Sequence, residues 1–152
     1  MTLETFSSWL DATPISEAIK ASGYIIPFAQ SLHILSVAFV FSGAALLVAR
    51  DFGRWGTSEP LAAWAAPLIA RQRLALAVLV LTGAVLILAE PTRELVSRVL
   101  QVKVVLVALA AALAVPLARR QLAGRSAHGL SVALLGLWGV IIFAGRWIAY
   151  AS

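Results

Sequence analysis

Residues 95–118 read LVSRVLQVKVVLVALAAALAVPLA, a run of Val, Leu and Ala with a single lysine, Lys103, set inside it. A helix on a soluble core would show a polar face at a period of 3.6. Here apolar side chains go all the way round, the pattern of a helix surrounded by lipid. Spanning a bilayer takes about 20 such residues. Three more runs qualify, at about 25–49, 68–89 and 128–149. The chain is 152 residues long, 61% hydrophobic and 12% charged, with a mean hydropathy of +0.93. A soluble domain of that size cannot hide so much apolar surface. The sequence therefore predicts an all-α membrane protein, a four-transmembrane-helix bundle over residues 25–152 with no separate soluble domain.

Residues 1–24, MTLETFSSWLDATPISEAIKASGY, carry Glu4, Asp11 and Glu17 and no basic start, which is not the pattern of a signal peptide. Leu3, Phe6, Trp9 and Leu10 recur at helical spacing, and Thr13-Pro14 reads as an N-cap followed by proline at the first helical position. A short amphipathic helical segment on the membrane surface is expected.

The connections set the orientation. Arg50, Arg54, Arg71 and Arg73 flank the first, and Arg119, Arg120 and Arg125 flank the third. The short second connection balances Arg93 and Arg98 against Glu90 and Glu94. Positive charge stays on the cytoplasmic side, so both termini are expected in the periplasm of a bacterial inner (cytoplasmic) membrane. The net charge of +5 is accounted for by these loops and calls for no nucleic acid. Tyr24 and Phe28 with Trp147 and Tyr150 mark the outer interface, and Trp55 and Trp64 the inner one. Pro60, after Thr57-Ser58-Glu59, is expected to start a helix that Pro67 bends into the second span.

Cysteine is absent and the only methionine is Met1, which removes disulfides, thiolate metal sites, Fe–S clusters and covalently attached haem. No nucleophile–base pair, paired intramembrane carboxylates or phosphate loop is present, so no catalytic motif can be named. Ser31, Ser36 and Ser42 read as packing and hydrogen-bonding residues.

Ionisable groups inside a membrane are costly, and each is a functional hypothesis. At 1.5 Å of rise per residue, His33 and Lys103 lie about 12 Å below the outer boundary and Arg146 about 6 Å below it. Glu90 closes the second span at that boundary. Gln30, three residues from His33, falls on the same helix face. His33, Lys103, Arg146, Gln30 and Glu90 thus outline a positively charged pocket in the outer leaflet, suited to an anion, a quinone carbonyl or haem propionates. His33 reads as a structural histidine, as an axial haem or metal ligand, or as a proton or quinone group. His128 opens the fourth span at the opposite depth and reads as an interfacial cap, so one chain is not expected to hold haem between two histidines.

FSGAALLVAR (41–50) and LTGAVLILAE (81–90) read alike. In antiparallel spans this is the pattern of an inverted repeat, and more simply of two small-residue packing faces at Gly43 and Gly83.

The run HILSVAFVFSGAALLVARDFGRWG, followed by LTGAVLILAEP, the lysine of LQVKVVLVALAAALA and LWGVIIFAGRWIAY, resembles an uncharacterised family of small bacterial four-span inner-membrane proteins. The resemblance covers most of residues 24–150. It departs at Asp51-Phe52-Gly53-Arg54, where the family reads Asp-Leu-Arg. The family's motif residues fall here on His33, Asp51, Lys103 and Arg146. More distantly the layout is similar to copper-resistance-D-type and cytochrome b-type membrane domains. These resemblances imply a four-helix membrane fold and an inner-membrane location.

Two readings of function follow. In the first, the outer pocket of a redox-associated inner-membrane protein binds haem b or quinone through His33, Lys103 and Arg146. In the second, the chain is a non-catalytic membrane subunit, a scaffold or a small anion or metabolite transporter, and its polar cluster is structural or binds a partner. Beyond the lipid bilayer, the expected partners are a second copy, through the glycines at 43, 83, 136 and 139, or a membrane redox complex.

Overall fold

The computed structural model describes residues 2–58, 60–118 and 125–148, and their side chains except at 61, 62, 116–118, 125–127 and 146–148. Seven helices follow one another among the described residues: α1 (Leu3–Asp11), α2 (Pro14–Ala21), α3 (Ile25–Asp51), α4 (Leu61–Ala89), α5 (Pro91–Glu94), α6 (Arg98–Ala118) and α7 (Arg125–Ile148). Four of them carry windows long and apolar enough to cross a membrane: Ile25–Asp51, Ala63–Ala89, Arg98–Val115 and His128–Gly145. The chain is an all-α, multi-pass integral membrane protein. Exposed Ile34, Leu35 and Phe39 on α3, Leu74 and Leu81 on α4, Val104 and Val105 on α6 and Phe143 on α7 form the surface that lipid covers.

α4 starts at Leu61, next to the helix start that the sequence places at Pro60, and runs unbroken through Pro67. A proline this near a helix start removes one backbone bond without ending the helix. α6 starts at Arg98, not at 95, because Pro91 begins a separate one-turn helix, α5, and residues 95–97 form a turn. The Ser97 carbonyl then accepts from Gln101 N at 3.2 Å, which opens α6. Lys103 therefore lies only about 7.5 Å along its helix, shallower than the spacing from residue 95 suggested.

α3 packs on α4 and on α7, and α6 packs on α7. α4 and α6, joined through α5, make no comparably close approach among the described residues. The core joins Val40 and Ala44 of α3, Ala75 and Leu79 of α4, Ala110 of α6, and Leu134, Trp138 and Ile141 of α7. Alanines let the backbones close in around Trp138. Such packing, rather than escape from water, holds helices together in lipid.

The N-terminal segment forms two capped helices, as its sequence predicts. The Thr2 hydroxyl accepts from Thr5 N at 3.2 Å and the Thr13 hydroxyl from Ser16 N at 3.4 Å, with Pro14 in the first turn of α2. An ion pair between Lys20 and Asp11 closes the corner between them. α1 rests on α5, and α2 on α4 and α3, burying Ser7, Ser16 and Ile19 against the bundle end that holds Ala89 and Pro91. Leu3, Phe6, Trp9 and Ile15 stay exposed. The segment is thus docked on the bundle as well as amphipathic.

Candidate functional site

The sequence-singled residues gather at the end of the bundle that α1 and α2 cover. His33 sits two turns into α3, half-buried, and its Nδ1 lies 3.0 Å from the Thr82 hydroxyl of α4. That hydroxyl has one proton, directed back at the Val78 carbonyl at 2.7 Å and the Leu79 carbonyl at 3.1 Å. With that proton on a carbonyl, the hydroxyl accepts from the histidine. In the neutral ring the proton is thereby placed on Nδ1, leaving Nε2 as a bare acceptor. No hydrogen bond to Nε2 exists among the described residues.

The ring rests on the backbone of Gly83, where an added methyl would come 3.4 Å from Cε1. An inverted counterpart lies lower in the same helix pair. Gln72 of α4 reaches over Gly43 of α3 and donates to the Phe39 carbonyl at 3.1 Å. A Cβ at Gly43 would sit 1.3 Å from the Gln72 amide nitrogen. Each antiparallel helix thus offers a glycine to a polar side chain of the other. The glycines of the two similar decapeptides are thus each met by a side chain of the other helix. Gly136 and Gly139 meet no atom within 4 Å among the described residues.

Lys103 enters from α6 with its ammonium against Gly145 of α7; a Cβ there would lie 3.3 Å from Nζ. Lys103 and His33 lie within electrostatic range of one another. Glu94 of α5 is the carboxylate within electrostatic range of Lys103. Glu90 is half-exposed and pairs with Arg93 at 2.7 Å. The physical reason is the α5 turn. Proline at its first position fixes the turn, which leaves Glu94 only 19% exposed and Glu90 outside. No hydrogen bond holds the Lys103 ammonium among the described residues.

Gln30 is exposed and shares no hydrogen bond with His33. Arg146 belongs to the last turn of α7, directly after the glycine that Lys103 touches; its side chain lies outside the described residues, as do those of Trp147 and Tyr150. His128 stands at the opposite end. Its Nε2 donates to the Asp51 carbonyl at 2.7 Å and its ring meets Phe52 edge-on at 5.7 Å. Residues 33 and 51 are separated by about 27 Å along α3. One haem cannot bridge the two histidines. No group of three or more metal-ligating side chains occurs among the described residues.

Thr82 and Glu94 are the site residues that sequence reasoning missed. Thr82 is the one hydroxyl in α4, next to Gly83, and that pairing was the available signal.

Comparison with protein-family models, with curated proteins and with solved structures returns no match.

Proposed function

We propose that this membrane protein binds a quinone head group between His33 and Lys103, in the periplasmic half of a bacterial inner membrane. The observation that carries the reading is the pairing of a histidine whose free Nε2 can only accept with a lysine ammonium that can only donate. A quinol hydroxyl donates to Nε2 and a quinone carbonyl accepts from Nζ, so the pair serves both redox forms. The looser approach of α4 and α6 supports lateral entry of a lipid-soluble ligand. The arginine distribution supports periplasmic termini, and the proposed cofactor-binding set also takes in Arg146, in the last turn of α7. Electron transfer would draw on a partner in a membrane redox complex.

A second reading has its own support. A histidine whose Nδ1–H is tied to a neighbouring acceptor is the arrangement that orients Nε2 toward a metal, so haem b with His33 as its one protein axial ligand also fits this geometry.

The test is the purified protein in mild detergent, with absorption spectra oxidised and dithionite-reduced and quinone measured after organic extraction. Near-stoichiometric quinone without a Soret band supports the first reading, and a Soret band the second. A folded protein with neither, which also fails to take up added short-chain quinone, overturns both.

A further inference from the structure

At the opposite end of the bundle, where the arginines collect, a cavity of about 250 Å³ opens between the last turns of α3 and the first turns of α4. Its walls are Leu46 of α3, Trp55 of the connection, and Trp64, Pro67 and Leu68 of α4, with Arg71 as the one charged group lining it among the described residues. We propose that this cavity binds the phosphodiester headgroup of an anionic membrane lipid. The site is separate from the His33 pocket and does not rest on the quinone reading.

Three features converge on that ligand. The first is charge. Arg71 is exposed, inside a membrane-spanning segment, and has no hydrogen bond or ion pair among the described residues. A second guanidinium, that of Arg50, lies 4.8 Å over the Trp64 ring that forms one wall. Arg54 is exposed nearby in sequence. A cation at membrane depth is stabilised by an anion, and a lipid phosphate is the anion the bilayer itself supplies.

The second feature is a backbone acceptor. Pro67 has no N–H to return to the carbonyl four residues back, on Ala63, and Ala63 also lines the cavity. That carbonyl can accept from a headgroup hydroxyl.

The third feature is the surface leading away from the cavity. Leu74, Ala77 and Leu81 are exposed along α4 at helical spacing from Arg71, an apolar track on which an acyl chain can lie. Trp55, 61% exposed, stands at the level where indoles mark the membrane interface. Gly56 shapes this wall. Its φ is +64°, and a Cβ there would come 2.4 Å from Trp64 Nε1 and 3.0 Å from Arg50 Nη1, so the connection closes tightly over both side chains.

The experiment is native mass spectrometry of the intact protein from mild detergent, with phosphatidylglycerol, phosphatidylcholine or inorganic phosphate added. Phosphatidylglycerol is expected to bind in preference to phosphatidylcholine. Arg71→Gln should lower its occupancy about fivefold, the weight of one arginine near the surface. Arg73→Gln, outside the cavity lining, should leave occupancy unchanged. Should Arg71→Gln fail to fold, Trp55→Ala, in the connection outside the helices, must lower occupancy in its place. Equal binding of the two lipids, or full binding by both Arg71→Gln and Trp55→Ala, would overturn the proposal. Equal binding of inorganic phosphate would overturn the lipid as the source of the anion.

Discussion

The Thr82 hydroxyl accepts from His33 Nδ1 while its own proton goes back to the carbonyls of Val78 and Leu79. This one relationship fixes which nitrogen of the histidine is free. Thr82→Val keeps the shape and removes the acceptor. The variant is expected to fold, to lose about 0.5–1.5 kcal/mol, the usual range for a hydrogen bond between membrane helices, and to release the ring. Nitrogen-15 NMR of the imidazole checks it. The wild type should show the Nδ1–H form and the variant a mixture; an Nε2–H form in the wild type would contradict the assignment.

The two glycines of the α3–α4 pair should respond differently to alanine. At Gly83 the added methyl meets the histidine ring at 3.4 Å, an ordinary contact, and little stability should be lost. At Gly43 it collides with the Gln72 amide and expels it from its bond to Phe39 O, at a cost of about 1 kcal/mol. Gly43→Ala with Gln72→Ala should recover much of that loss. Thermal unfolding in detergent separates the three variants, and equal melting of Gly43→Ala and Gly83→Ala would refute the reciprocal packing.

How much of this could be read from the letters varies by element. The four spans were legible because their apolar residues occupy every face, and Thr13-Pro14 announced the start of α2. The start of α6 was not, since the run from Leu95 is apolar enough to continue a helix and only the Pro91 turn consumes those residues. His33 and Lys103 stood out as ionisable groups in lipid. Thr82 did not, because a threonine inside an apolar helix looks like any packing residue until its partner is placed beside it. Gln30 was grouped with His33 by a three-residue step. Such a step still leaves about 60° around the helix, enough to carry Gln30 to the exposed side.

His128 offers an internal control. Its bond to the Asp51 carbonyl ties the start of α7 to the end of α3, far from the His33 pocket. His128→Ala should cost about 1 kcal/mol in thermal stability and leave ligand content unchanged. Loss of ligand in a folded His128→Ala protein would mean that the two histidines act together, against their separation along α3.

The orientation can be read chemically, because the chain has no cysteine. Thr57→Cys, in the arginine-flanked connection, should resist a membrane-impermeant maleimide in cells with only the inner membrane intact, and Thr92→Cys, on α5, should react. The reverse pattern would invert the topology.

Direct titration of a short-chain ubiquinone into the purified protein, its His33→Ala variant and its Lys103→Met variant tests the central claim. The wild type should bind one equivalent. Lys103→Met should fold at least as well, since it removes a half-buried cation with no hydrogen bond among the described residues. Both variants should bind about tenfold or more weaker, the weight of a hydrogen bond to a charged or pre-oriented group. Undiminished binding by folded His33→Ala and Lys103→Met, or none by the wild type, would contradict the assignment of this pair as the quinone site.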